Sequence, residues 1–339
     1  MKLIKRLILV FFSLFALNAN SQNVPVHSYK VAKDVEWAKP GGFSLTMDIY
    51  TPVNVKKSYP VVVIYHGGGW LIYNKSNMSE MAQYLTRHGY VVCNINYRLL
   101  GAHSNTITMD QIIGDGLGAL LWVKYHIKPY KGDPKKVCVT GDSSGGQLAS
   151  MVVNSTEKLT SKDFTSTLLF TPTWMPKGTT PEEIAKKHIL DVQAAVINYG
   201  GTNMYEACKY GFENSGNPFW EMAKVTPRGI FGGDVNVNNH PEYYKAVSPM
   251  FTIPQASQRK LPPQLFTVGS KDNIVLPEWV QGYVKTLKDA GQPAEYWEYE
   301  GRPHAFLDSG GNKSLGTTFD KDAIPALERM LKFLNGIFY

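Results

Sequence analysis

Apolar positions along the chain fall into two alternating patterns. Short runs, unbroken or stepping by two, lie at Val26–Trp37, Phe43–Tyr50, Tyr59–His66, Tyr90–Tyr97, Val137–Val139, Gln193–Tyr199, Leu265–Val268 and Ala294–Glu300, and they predict strands. Between them, apolar residues recur every three or four positions at Ser76–His88, Met109–Ile127, Leu148–Val153, Pro277–Ala290 and Lys321–Leu334, which predicts helices. The Tyr59–His66 run has no polar alternation, the mark of a strand covered on both faces. Strands alternating with helices imply an α/β protein with a predominantly parallel, doubly wound sheet, in which ligands bind beyond the carboxyl ends of the strands.

Two stretches break this alternation. Segments 156–190 and 200–247 are too long for ordinary connections and read as inserted cap segments of a single domain spanning 22–339. Between Tyr199 and Phe251 stand ten aromatic residues, while Ile230 is the sole Leu or Ile. Aromatic faces suit a cleft that holds a ring-bearing substrate better than one for a long lipid chain, although such a cap also needs a core of its own.

At the start of the chain, Lys2, Lys5 and Arg6 precede the apolar run Leu7–Leu17 and the small residues Ala19 and Ser21. This predicts a secretory signal peptide over residues 1–21, hence an exported protein; the run is short for a stable membrane anchor. Losing those three cations takes the formal net charge from +7 to +4, and without a Lys/Arg cluster nothing points to nucleic acid. Three cysteines cannot all pair; Cys93 and Cys138 sit inside strand candidates as small apolar residues, and Cys208 has no assigned role.

Candidate chemistry sits at the ends of the predicted strands. Thr140-Gly141-Asp142-Ser143-Ser144-Gly145-Gly146 follows one strand and opens a helix, the context of a G-x-S-x-G turn that presents a serine nucleophile. His66-Gly67-Gly68-Gly69-Trp70 follows another, and its glycines allow backbone amides to approach a substrate carbonyl. Asp272 comes just after Leu265–Val268, and His304 just after Ala294–Glu300. Ser143, Asp272 and His304 therefore appear in the order Ser, Asp, His, with Asp308 and Glu300 as rival acids and His240 and His103 as rival bases. His66 reads as a structural histidine holding the glycine loop.

With these motifs the chain resembles the α/β-hydrolase superfamily, specifically HGGG-containing carboxylesterases related to hormone-sensitive lipase. Trp70 makes it similar to the bacterial branch with acetyl and feruloyl esterases. The resemblance implies the α/β-hydrolase fold, the catalytic residues Ser143, Asp272 and His304, and oxyanion donors at Gly68, Gly69 and Ser144, with Gly67 shaping the turn. It also implies structural roles for Tyr97, Arg98 and Asp115.

The chemistry so implied is acyl transfer to Ser143 followed by hydrolysis, with no cofactor. Asp234-Val235-Asn236-Val237-Asn238 begins like a calcium loop, but Asn239 and Lys245 stand where glycine and glutamate are needed; it reads as a turn, and no metal is expected. The expected substrate is a small-molecule or oligosaccharide ester, acetyl or feruloyl, contacted by Trp70, Phe219 and Trp220. A general short-chain carboxylesterase or lipase, an arylformamidase, a peptidase and a catalytically silent binding protein remain as alternatives. Oligomeric state is not legible.

Overall fold

The computed structural model describes residues 27–53 and 56–339; the predicted signal peptide lies outside them. Eight strands form one sheet: β1 (Tyr29–Ala38), β2 (Leu45–Pro52), β3 (Tyr59–Tyr65), β4 (Val91–Ile95), β5 (Gly132–Asp142), β6 (Ala194–Asn198), β7 (Gln264–Gly269) and β8 (Ala294–Tyr299). Their spatial order is β1-β2-β4-β3-β5-β6-β7-β8. β1 and β2 run antiparallel, and β4 through β8 pair in parallel. Every residue of β3, β4, β6 and β7 is buried, as it must be when helices cover both faces of a sheet.

The helices Ser79–Arg87 and Ile324–Phe338 pack against each other on the sheet, and Met109–His126 and Ser144–Asn154 form a second packed pair. Met109–His126 opens with a capping box between Thr108 and Gln111, which satisfies orphan amides at its start. Asp115 lies in its buried stretch, paired with Arg98 at 2.7 Å and accepting from the Thr173 hydroxyl. The helix Pro277–Asp289 flanks β7 and β8, and its Tyr283 hydroxyl accepts from Asn154 Nδ2 at 3.1 Å.

Two boundaries differ from the sequence expectation. β5 begins at Gly132, ahead of the run expected over Val137–Val139, and Gly132 sits against Ile127 and Val61 so closely that a β-carbon would come within 2.4 Å of Ile127 Cγ1. The helix expected from Lys321 becomes regular only at Ile324, after a π-turn over Phe319–Ala323, with Pro325 in its first turn; proline is accommodated at such a start and resisted inside.

Both inserted segments carry short helices, Phe164–Thr167 and Pro181–Lys186 in one, Met204–Lys209, Pro218–Ala223 and Pro241–Ala246 in the other. They meet where Phe164 stacks on Phe231 at 5.4 Å and meets Tyr243 edge-on at 5.7 Å. Buried Trp220 and Tyr244 add to this layer.

Candidate active site

β5 ends at Asp142 and a helix begins at Ser144, so Ser143 alone must reverse the chain. It does so at φ 51°, ψ −120°, a conformation that costs a residue bearing a β-carbon. Its amide is held by the Asn198 carbonyl at 3.0 Å. Closure requires glycine on either side: a β-carbon on Gly141 would lie 2.2 Å from Gly145 O, and one on Gly145 would lie 2.0 Å from Tyr65 O.

The structure brings the three separated candidates into one line. His304 Nε2 lies 2.9 Å from Ser143 Oγ, and His304 Nδ1 lies 2.7 Å from Asp272 Oδ2. The other carboxylate oxygen, Asp272 Oδ1, accepts from the amides of Ile274 and Val275, both at 2.9 Å. Since a carboxylate only accepts, Nδ1 carries the hydrogen and Nε2 offers its lone pair to the serine hydroxyl. Asp308 is directed elsewhere, accepting from Asn77 Nδ2 and Asn312 Nδ2. Glu300 is exposed, His240 pairs with Glu242, and the His103 ring packs at a tilt against Phe43.

The glycine loop follows β3 on the neighbouring strand. Gly67 N donates to Asp142 Oδ1 at 2.8 Å, and a β-carbon there would lie 2.3 Å from Asp142 Oδ2, so the loop is pinned to the Ser143 turn by a contact that only glycine allows. Gly68 and Gly69 have φ 113° and 60°. Among the described residues, none accepts a hydrogen bond from the amides of Gly68, Gly69 or Ser144. His66 is buried beneath the loop: Nδ1 meets Gly67 O at 2.7 Å, its ring stacks on Tyr97, and its carbonyl accepts from Tyr97 Oη at 2.6 Å. Burial pushes its pKa down to about 4.

Of the expected substrate contacts, Phe219 reaches the site: its ring lies 2.7 Å from where a β-carbon on Gly69 would stand. Trp220 corrects the expectation. It is fully buried and donates to the Phe212 carbonyl at 2.7 Å, which places it in the cap's own core. Trp70 is buried as well, its Nε1 held by Gln147 Oε1 at 3.1 Å and its ring edge-on to Phe212, so it joins the glycine loop to the cap. In the suspected calcium loop the side chains of Asn236 and Asn239 are spent on closing the turn. The three cysteines are buried and free.

Three residues that sequence reasoning missed surround the line. Tyr199, counted there among the cap aromatics, leaves β6 at φ 37° and sets its ring edge-on to His304 at 4.7 Å, while its hydroxyl accepts from Leu307 N. Tyr73 lays its ring on Gly68. Asp142, inside the motif itself, holds Gly67; burial and then Asp308 push its carboxyl well above the usual range. Their shared signal is position, each lying at or just beyond the end of a strand that carries a recognised motif or pairs with one.

The sequence model of the family described as BD-FAE matches residues 47–286. Carboxylesterase NlhH of Mycobacterium tuberculosis is 31% identical over 42% of this chain and 44% of its own length. Esterase LipQ of the same organism is 26% identical over 79% of this chain and 55% of its own length; the chain thus spans about half the length of these curated relatives. Among solved structures, the apo form of Thermogutta terrifontis esterase 2 superposes with a TM-score of 0.63 at 21% identity, covering 93% of this chain and 96% of that one. This likeness is one of fold, the α/β-hydrolase fold.

Proposed function

The chain belongs to the BD-FAE family, and we propose that it is an exported serine carboxylic-ester hydrolase acting on short-chain or aromatic acyl esters of carbohydrate. The observation that carries the reading is the pair of contacts at His304, 2.9 Å to Ser143 Oγ and 2.7 Å to Asp272 Oδ2. In this mechanism Ser143 Oγ attacks the acyl carbon as its proton passes to His304 Nε2. The imidazolium so formed is stabilised by Asp272, and it returns the proton to the departing alcohol. Water then attacks the acyl-enzyme by the same route, releasing the acid and restoring Ser143. The unengaged amides of Gly68, Gly69 and Ser144 are the donors for the developing oxyanion, about 2.7–4 kcal/mol for each that is well placed.

Short acyl groups find support in the Thermogutta terrifontis esterase 2 structures, which include propionate-bound and butyrate-bound forms. The carbohydrate ester rests on the exported leader and the aromatic-rich cap read from the sequence. The test is turnover of p-nitrophenyl acetate, methyl ferulate and acetylated xylan by the wild type and by Ser143→Ala. That same esterase is phosphorylated by paraoxon; here paraoxon should add one diethylphosphoryl group to the wild type and none to Ser143→Ala. Turnover persisting in a folded Ser143→Ala protein would overturn the assignment.

A further inference from the structure

Gln147 stands at a junction of three parts of the molecule. It lies on the helix Ser144–Asn154, four residues past Ser143, and is completely buried. Its backbone amide donates to the Ser143 carbonyl at 3.1 Å, as the amide of Gly201 does at 3.3 Å. Its side chain makes two bonds away from the helix: Oε1 accepts from Trp70 Nε1 at 3.1 Å, and Nε2 donates to the Val247 carbonyl at 2.8 Å. Trp70 closes the glycine loop after β3, and Val247 ends the cap helix Pro241–Ala246.

The chemistry of the two partners dictates the residue between them. An indole N–H only donates and a backbone carbonyl only accepts, so a side chain lodged between them must present an oxygen to one and an N–H to the other. An amide does both at once. A carboxylate of the same length would turn a second acceptor onto the Val247 carbonyl, and a hydrocarbon would leave both groups without a partner. Trp70 and Val247 are themselves buried, which keeps bulk water from replacing a lost bond.

What depends on the indole bond is the shape of the loop. Gly68, Gly69 and Trp70 follow one another at φ 113°, 60° and 60°. Glycine holds such angles freely, whereas Trp70 bears a β-carbon and holds its angle only where the surroundings impose it. They do so at two points: Gln147 takes the indole, and the amide of Leu100 donates to the Trp70 carbonyl at 2.8 Å. Were Trp70 to relax to a negative φ, the peptide joining it to Gly69 would turn over and shift the Gly69 amide with it.

Resting on the esterase reading above, we propose that Gln147 is a positioning residue of that reaction: by holding Trp70 it fixes where the Gly68 and Gly69 amides stand relative to Ser143. The Val247 carbonyl decides which end of the Gln147 amide faces the indole. The stem packs where the segment after β6 passes: a β-carbon on Gly201 would lie 3.6 Å from Trp70 Cη2 and 3.7 Å from Gln147 Cβ. The indole also meets Phe212 edge-on at 5.4 Å. The helix after Ser143 is thus fitted to the loop twice, once through Gly145 against the end of β3 and once through Gln147.

The experiment reads kcat and KM on p-nitrophenyl acetate, beside a calorimetric Tm, for the wild type, Gln147→Met, Gln147→Glu, Trp70→Phe and the double variant Gln147→Met/Trp70→Phe. Gln147→Met removes the acceptor and should lower kcat about tenfold to a hundredfold, with KM within about threefold. Trp70→Phe removes the donor and should lower kcat likewise. The double variant should be no worse than the worse single one within about threefold, because both changes remove one contact. Gln147→Glu keeps an oxygen for the indole while burying a charge, so it should melt below Gln147→Met yet hold kcat closer to the wild type. A kcat within about twofold of wild type in Gln147→Met, losses that multiply in the double variant, or rates that follow the order of Tm would each overturn the positioning role while leaving the esterase standing. Should Gln147→Met fail to fold, Trp70→Phe decides alone, and an unchanged kcat there overturns the role. Absence of turnover in the wild type sinks the esterase reading, and this role with it.

Discussion

Replacing Gly145 by alanine tests how closely the two halves of the site are fitted. A β-carbon at 145 would stand 2.0 Å from Tyr65 O and 2.5 Å from His66 O. Both are backbone carbonyls where β3 passes into the glycine loop, so neither can swing aside as a side chain could. Carbon and oxygen do not approach much below about 3 Å, and the gap must open by about 1 Å. Only two movements provide it: the helix Ser144–Asn154 lifts, carrying the Ser144 amide, or the end of β3 recedes, carrying Gly67, Gly68 and Gly69. Either one separates the amide on the nucleophile turn from those on the loop. A misplacement of about 1 Å, or one lost oxyanion donor, costs roughly 10²–10³ in rate.

Stability should change far less, since overpacking of about 1–3 kcal/mol is partly offset by the roughly 1 kcal/mol that alanine gains over glycine in a helix. Steady-state kcat on p-nitrophenyl acetate, read beside a calorimetric Tm, separates the two effects. Gly282→Ala is the matched control, because this exposed glycine in the helix Pro277–Asp289 has nothing within 4 Å of the new carbon. It should keep wild-type kcat and gain about 0.5–1 kcal/mol. A folded Gly145→Ala enzyme with kcat within twofold of wild type would refute the claim that this contact sets the oxyanion geometry.

Asp272→Asn should lower kcat by up to about 10⁴, because an amide no longer demands the Nδ1 hydrogen that frees Nε2; a greater loss in Asp308→Asn would reassign the acid. His66 is neutral in the fold, with its pKa driven down to about 4 from an ordinary 6.5. The unfolded chain therefore binds its proton first as the pH falls, and about 3 kcal/mol of stability drains away between pH 6.5 and 4. Denaturant titrations should show the gap between wild type and His66→Asn narrowing by that amount over this range; a constant gap would mean the ring is not held neutral. Trp220→Ala should cost about 3–5 kcal/mol of stability with a modest effect on kcat, whereas Phe219→Ala should leave Tm nearly unchanged and alter kcat/KM. The reverse pattern in calorimetry and kinetics would exchange their roles.

The strands of the sheet were legible because burial on both faces leaves a continuous apolar run, as in Tyr59–Tyr65, which few other environments tolerate. The candidate residues were legible for a related reason: Ser143 and Asp272 follow such runs within a few positions, and His304 follows the partly exposed edge strand β8. What the sequence hid was direction. Phe219 and Trp220 are neighbours in one short helix, capped by the Asn217 side chain, and the helical turn sends one to the glycine loop and the other into the cap core. Composition counts both as aromatic and cannot see that phase. Asp142 and Tyr199 were hidden for another reason, since their partners Gly67 and Leu307 lie far along the chain and only pairing across the sheet brings them close.

That pairing also explains why the site stands where it does. The chain runs from β3 outward to β4 and then returns across β3 to lay down β5, so the carboxyl ends of β3 and β5 lie side by side with their connections leading away in opposite directions. A crevice opens at such a switch point. β3 delivers the glycine loop to it and β5 delivers Ser143, in parallel register with Tyr65 opposite Gly141. The Gly67–Asp142 hydrogen bond at 2.8 Å then ties the loop on one strand to the residue before Ser143 on the other. Each strand supplies half of the site, and the register between them sets the distance from Ser143 to the amides of Gly68 and Gly69.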